Sequence, residues 1–300
     1  MDIADETGQS TVETGRWSRR ACQDREWEGT AMGLLRGFID ANVKASVALN
    51  RLLPQYLRTD GNYAFLEEFI PNSVSAGDRA YDLGGGSRPF LSIDRKRELG
   101  LTVVGLDISG EELAAAPDGV YDQQIVADLT KFTGDGDGDV VVCQAVLEHV
   151  RDGTGTMRAI ASCLKPGGRA FIFAPCRNAV FARLNLMLPQ KVKERLLFAL
   201  FPSKAEGHDG FPAFYDKCTP KELEQLAESN GLEIEQRRLF WMSSYFTVLF
   251  PAFLGWRLLQ AVSYLLLGKD AAETYIYVLR KRDAVEPVGD GLLATPLPTS

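Results

Sequence analysis

Three aspartates and a run of glycines are the residues of this sequence best placed to hold a ligand. Asp82 ends an apolar run in "AYDLGGGSRPF" (80–90), and Gly84, Gly85 and Gly86 follow it. Glycines permit a tight turn and let the backbone approach a ligand closely. A phosphate cradle needs open N–H groups and no anion beside them, so Asp82 is a poor neighbour for a pyrophosphate. It suits a positively charged amine. Asp107 closes the next apolar run, "LTVVGLDI", where an acid takes two ribose hydroxyls in a bidentate grip. Asp128 closes a third, "QQIVADL", where a carboxylate accepts from the exocyclic amine of a purine. An acid at a buried strand end is costly unless its charge is met, so the three acids ask for one ligand. An ammonium, a ribose and an adenine amine together describe S-adenosylmethionine (SAM).

The acids converge only if the chain aligns the runs that carry them. "RAYDLG" is a strand, and a helix is expected from Ser87, with Pro89 just inside it, to Leu99, stopped by Gly100. After the second strand, Ser109 with Glu112 forms a capping box for a short helix that Pro117 ends. "DVVVCQ" is a fourth strand, 145–164 a helix, "KPGG" a turn and "RAFIFAP" a fifth strand. Thr219, Pro220 and Glu222 start a helix that runs to Asn230-Gly231, and "LEIEQRRLF" and "TYIYVLRKR" are two late strands. The alternation predicts an α/β fold, a Rossmann-like seven-stranded, mostly parallel sheet with helices on both faces. Ligands of such sheets sit at the carboxyl ends of the strands, here Asp82, Asp107, Asp128, Cys143-Gln144 and Ala174-Pro175.

Composition excludes several classes. The formal charge of −7 argues against a nucleic-acid-binding surface spread over the whole protein, and 45% hydrophobic residues suffice for a full core. The five cysteines form no C-x-x-C pair, which favours lone buried thiols in a reducing compartment over a disulfide framework or a metal site. The polar first thirty residues hold no apolar signal core, so the cytoplasm is the expected location. A dinucleotide fingerprint would need G-x-G-x-x-G, whereas the run from Gly84 reads G-G-G-S-R-P. The "GDGDGD" run at 134–139 starts like a calcium loop but places Val140 and Val146 where a Gly and a Glu should stand.

From Arg79 to Pro175 the chain resembles the class I SAM-dependent methyltransferases. "YDLGGGS", "VVGLDIS", "VADLT", "DVVVCQAVLEHV" and "LKPGGRAFIFAP" are similar to five motifs of that family, in order. The resemblance implies SAM as cofactor, with Asp82, Gly84, Gly85 and Gly86 at its methionine end. Asp107 with Ile108 would hold the ribose side, Asp128 with Leu129 the adenine, and Cys143 and Gln144 the sulfonium side. Arg88 stands where many members have another glycine. His149, in the helix after the fourth strand, is expected to be a structural, hydrogen-bonded histidine. "EGHDGFPAFYDKCTPKEL" (206–223) is similar to a run in quinone-type O-methyltransferases, and its His208 is the candidate base for a hydroxyl acceptor. Asp209 and Tyr215 are weaker candidates for orienting that base.

The expected organisation is a loose tail (1–28), a helical cap (29–75), the methyltransferase domain (76–283) and a second tail (284–300). Two apolar helical insertions interrupt the domain. Residues 176–218 mix Arg177, Arg183, Lys191, Lys193, Arg195 and Lys204 with large apolar side chains, as interfacial helices do. Residues 241–268 contain a single charge, Arg257. Eighteen uncharged residues, Leu239 to Trp256, border on a membrane span, yet Pro251 favours two shorter pieces. The insertions are expected to form a lid, a dimer interface or a peripheral membrane face, the last at the inner surface of the membrane. Each gives the protein an apolar acceptor region, so the expected acceptor is a lipophilic or lipid-linked compound, and the similarity to quinone-type O-methyltransferases implies methylation at oxygen. The alternatives are a membrane-associated module that binds SAM without turnover, and a C- or N-methyltransferase of a soluble natural product.

Overall fold

Apolar residues alternate between the two faces of the strands, and both faces are covered. Tyr81, Leu83, Val104, Leu106, Val141 and Ile172 fill one core, while Ala80, Val103, Val140, Val142, Phe171 and Phe173 fill the other. The computed structural model describes residues 30–187, 212–243 and 246–283. The tails and most of the first insertion lie outside the described residues.

The chain begins with α1 (Thr30–Leu52), followed by the single-turn helices α2 (Gln55–Arg58) and α3 (Gly61–Ala64) and two further turns to Asn72. Then come β1 (Arg79–Leu83), α4 (Ile93–Leu99), β2 (Thr102–Asp107), α5 (Gly110–Ala114), β3 (Gln123–Val126) and β4 (Gly138–Gln144). Next are α6 (Gly153–Cys163), β5 (Leu164–Pro175), α7 (Val180–Met187), α8 (Pro220–Ser229), β6 (Leu232–Phe240), α9 (Phe250–Leu267) and β7 (Thr274–Lys281). The seven strands form one sheet in the order β3-β2-β1-β4-β5-β7-β6. The first five strands are parallel, and β7 runs antiparallel to both β5 and β6. Chain order reverses between β1 and β4, which makes their carboxyl ends a topological switch point.

Four expected boundaries shift for local reasons. The helix expected from Ser87 starts instead at Ser92, whose hydroxyl accepts from the N–H of Arg95. Residues 87–91 are held off it because Ser87 donates to Glu112 Oε2 at 2.6 Å and Arg88 N–H closes a turn on Gly85 O. The helix expected over 145–164 is only Gly153–Cys163, capped by Asp152, because a left-handed Ala145 and a 3-10 turn at Leu147–His149 intervene. "KPGG" lies within β5, where the pairing with β4 shifts register. The short helix α5 ends before Pro117 does any work, although Ser109 caps it as expected. Thr219 likewise caps α8.

The residues before β1 do two jobs. Phe65, Phe69 and Ile70 are buried in the core of one sheet face, with Phe65 5.6 Å from the Phe173 ring. Burying Phe65 fully contributes about 2–3 kcal/mol. So 61–72 is a layer of the domain rather than a separate cap. By contrast α1 lies against α9, away from the sheet core. Phe250 N–H donates to Asn42 Oδ1 at 2.9 Å, and Arg257 reaches Asn50 Oδ1 at 2.5 Å.

Candidate cofactor site

The carboxyl ends of β1 and β2 bring Asp82, the glycines and Asp107 together, as the sequence predicts. Asp82 is buried, and its Oδ2 accepts from Phe90 N–H and Tyr121 Oη–H, both at 3.0 Å. These bonds fold the glycine loop back over the carboxylate. Burial pushes Asp82 up to about 7, with the charge of Asp107 adding to the rise and the two hydrogen bonds opposing it. A carboxyl in that state gains from a cation placed beside it.

The loop has no room for side chains. A Cβ on Gly85 would overlap the Asp82 carboxylate, and one on Gly84, at φ +76°, would overlap Val146 just past β4. The loop therefore joins the two strands that flank the switch point. Tyr121, which sequence reasoning missed, braces it from below: the hydroxyl that bonds Asp82 also lies 3.2 Å from Gly86 O. A signal for Tyr121 exists in the sequence. Gly105 interrupts the apolar run of β2, and its missing Cβ is the space that the Tyr121 ring occupies.

Asp107 is buried beside Gly86, and its Oδ1 accepts from Ser109 N–H at 2.9 Å. Burial raises its pKa, against the Ser109 bond and with the help of Glu112. Glu112 is a second acid at this edge, tied to Ser87 of the glycine loop. Ile108 and Val126 are exposed beside it, an apolar surface at the ends of β2 and β3 on which a planar ring can rest. The acid expected at the adenine, Asp128, uses Oδ1 to cap the turn Leu129–Lys131, accepting from the N–H and the hydroxyl of Thr130. The Thr130 hydroxyl is the main reason its pKa is lowered, and Oδ2 faces Lys131 at 3.5 Å.

Two expected contacts need correction. Cys143 is fully buried in the core because its strand position points into the sheet face, and burial raises its thiol pKa. The side chain of Leu129 is likewise buried, which leaves its main chain as the part able to meet a ligand. At the end of β4 the open residues are Gln144, whose Nε2 donates to Asn62 Oδ1 at 3.0 Å, and Ala145. Ala145 stands at φ +54°, a conformation costly for a non-glycine residue and concentrated at functional sites.

The last residues of the first insertion are fastened to the turn after β4. Phe214 and Tyr215 donate their N–H groups to Glu148 O, Gly153 N–H donates to Asp216 Oδ2, and His149 Nδ1 lies 3.1 Å from Pro212 O. His149 is thus hydrogen-bonded, as expected, although it sits on a 3-10 turn. Tyr215 is buried in the core at φ +55°, so its ring does not face an acceptor. His208 and Asp209 lie outside the described residues. Glu148, which the sequence reading passed over, is buried with Oε2 unpartnered, and burial pushes it up to about 8. Among the described residues no cluster of acids, histidines and cysteines suits a metal ion.

Residues 49–237 match the family model for a methyltransferase domain. The chain is 31% identical to the ubiquinone biosynthesis O-methyltransferase of Aeromonas salmonicida over 163 residues, 52% of this chain and 63% of that protein. It is 26% identical to the enzyme of the same name from Methylococcus capsulatus over 202 residues, 65% of this chain and 75% of that one. The chain thus spans less than two thirds of the Aeromonas relative. Among solved structures it is similar to an SAM-dependent methyltransferase from Methanosarcina mazei, 19% identical over 72% of this chain and 98% of that one, with a TM-score of 0.46. With its five motifs on one sheet edge and the family model matched over more than half its length, the chain belongs to the class I SAM-dependent methyltransferase family.

Proposed function

We propose that this protein transfers the methyl group of SAM to an oxygen of a lipophilic acceptor. The observation that carries the reading is the pair of buried acids, Asp82 and Asp107, bracketing the glycine loop at the switch point of the sheet. The donor set fits the cofactor: Asp82 for the ammonium, Asp107 for the ribose hydroxyls, and the Ile108 surface for the base. Bound there, SAM supplies a methyl group on a sulfonium already primed to leave. The chain then has to align and dehydrate the reacting atoms. Gln144 and Ala145, at the end of β4, border the space where the methyl would face the acceptor. Deprotonation of an acceptor hydroxyl is assigned to His208, four residues before the anchored Pro212. Two facts support a lipophilic acceptor: the apolar insertion 241–268, and relatives named for ubiquinone biosynthesis.

The test is calorimetric SAM binding, followed by transfer of labelled methyl from SAM to apolar phenols and lipid extracts. Asp107→Ala should weaken SAM binding by two orders of magnitude or more, the loss expected when a buried charge-assisted contact disappears (about 3 kcal/mol or more). Unchanged affinity would reject the cofactor assignment. His208→Ala should bind SAM normally and lose about 10²–10⁴ in rate. SAM binding without transfer to any acceptor would leave a binding module without turnover.

A further inference from the structure

The geometry points to the α1–α9 layer as a docking face for an anionic lipid bilayer, with α9 lying in the plane of the surface. This goes beyond the reading of the cofactor site and does not depend on it. The helix α9 is long and apolar enough to cross a membrane on length and composition alone. Its fixings show a different use. Phe253, Trp256 and Gln260 form a buried stripe against the protein. Midway along, Arg257 donates to Trp241 O, Gln260 Oε1, Asn50 Oδ1 and Leu57 O at 2.5–3.0 Å. Chain entry and exit also meet, since Glu273 N–H donates to Phe240 O at 2.9 Å. A helix tied along its length to one side of a domain cannot cross a bilayer.

The opposite stripe of α9 is left outward. Leu254, Leu258, Val262 and Leu265 recur at helical spacing, with Leu258 67% and Leu265 82% exposed. The contacts of Asn42 with Phe250 and of Asn50 with Arg257 set α1 parallel to α9. A contiguous apolar face of this kind on a soluble domain marks an interaction site.

Charge selects the occupant. Between residues 36 and 58 stand the exposed basic residues Arg36, Lys44, Arg51 and Arg58 against one acid, Asp40. Between 241 and 269 there is no acid at all. This layer is basic in a chain whose formal charge is −7. Leucines with a basic margin match the headgroup boundary of an anionic membrane. A second copy fits less well, because a two-fold contact would set the basic margin against itself.

The experiment is flotation of the full chain with phosphatidylcholine vesicles, with and without phosphatidylglycerol, at low and high salt. The expected result is flotation with the anionic vesicles that weakens as salt rises. Leu258→Glu with Leu265→Glu should lower the partition coefficient by about tenfold or more per leucine, with SAM affinity and melting unchanged. Lys44→Glu with Arg51→Glu should remove the salt-dependent part. Absence of flotation by the wild type, or wild-type flotation by the leucine variant, overturns the assignment. A dimer that the leucine variant converts to monomer also overturns it and gives the face to a second copy. SAM calorimetry on the same samples reads the cofactor site separately.

Discussion

At the scale of single residues, Asp82 makes the sharpest demand. Its folded pKa near 7 means that its carboxyl is largely neutral below that value, and only the ionised form attracts the ammonium of SAM. An α-amino group itself loses its proton near pH 8. SAM affinity should therefore rise to a maximum between about pH 7 and 8, and binding at pH 6 should release a proton, readable as a buffer-dependent enthalpy. Tyr121→Phe removes one of the two hydrogen bonds that favour the ionised carboxylate, so the acid limb should move to higher pH. An unmoved limb would show that another group sets it. Asp82, Asp107 and the glycines were legible in the sequence because strand ends and glycine runs are local features. Ala145 was not, since its significance arises only from which strands become neighbours, and Tyr121 was marked only indirectly, by the gap at Gly105. Cys143 was misread because adjacency to Gln144 in sequence says nothing about which side chain of a strand points outward.

At the scale of elements, the mostly parallel sheet followed from the alternation of strand and helix patterns, and the caps at Ser109 and Thr219 from local chemistry, whereas the strand order came only from the structure. What the pattern could not give was the partner of α1. That helix has apolar spacing, but its attachment to α9 runs through Asn42, Asn50 and Arg257, about two hundred residues apart in sequence. Arg257 is the joint of that attachment, half-buried, stacked on Trp256 at 4.3 Å and with its pKa lowered to about 10 by burial. Arg257→Met should leave Asn50 Oδ1, Leu57 O and Gln260 Oε1 without this donor, while Trp241 O keeps its bond from Gln260 Nε2, and should cost about 2–4 kcal/mol. Hydrogen exchange should quicken in α1 and the first turns of α9 while β1, β4 and β5 keep their protection. Arg257→Lys should not rescue it, because an ammonium cannot span four acceptors set in a fan. Uniform loss of protection across the sheet would mean that α1 and α9 are integral to the domain rather than docked on it.

At the scale of the whole molecule, the buried acids set how stability responds to pH. Asp122, Asp139 and Glu224 are held below the ordinary carboxylate range by basic and N–H partners as burial pulls the other way, so their contribution is complete above about pH 5. Asp82, Glu148 and Glu273 are shifted upward by burial. An acid with a raised folded pKa holds a proton that the unfolded chain releases, so its effect is a stability that falls as pH rises between the two values. For Asp82 that window runs from 3.8 to about 7, and for Glu148 from 4.5 to about 8. Each group can contribute a slope of at most about 1.4 kcal/mol per pH unit. The melting temperature should therefore drop by several degrees between pH 5 and 8. Glu148→Gln keeps the shape and removes the ionisation. Its melting temperature should match the wild type near pH 5 and exceed it increasingly toward pH 8; a gap independent of pH would show that Glu148 is not the titrating group. Saturating SAM should flatten the part of the wild-type slope below pH 7, because an ammonium beside Asp82 returns the energy of ionising it, and should leave the Glu148 part untouched. The two buried carboxyls thereby separate the stability of the fold from the occupancy of its cofactor site in one set of melting curves.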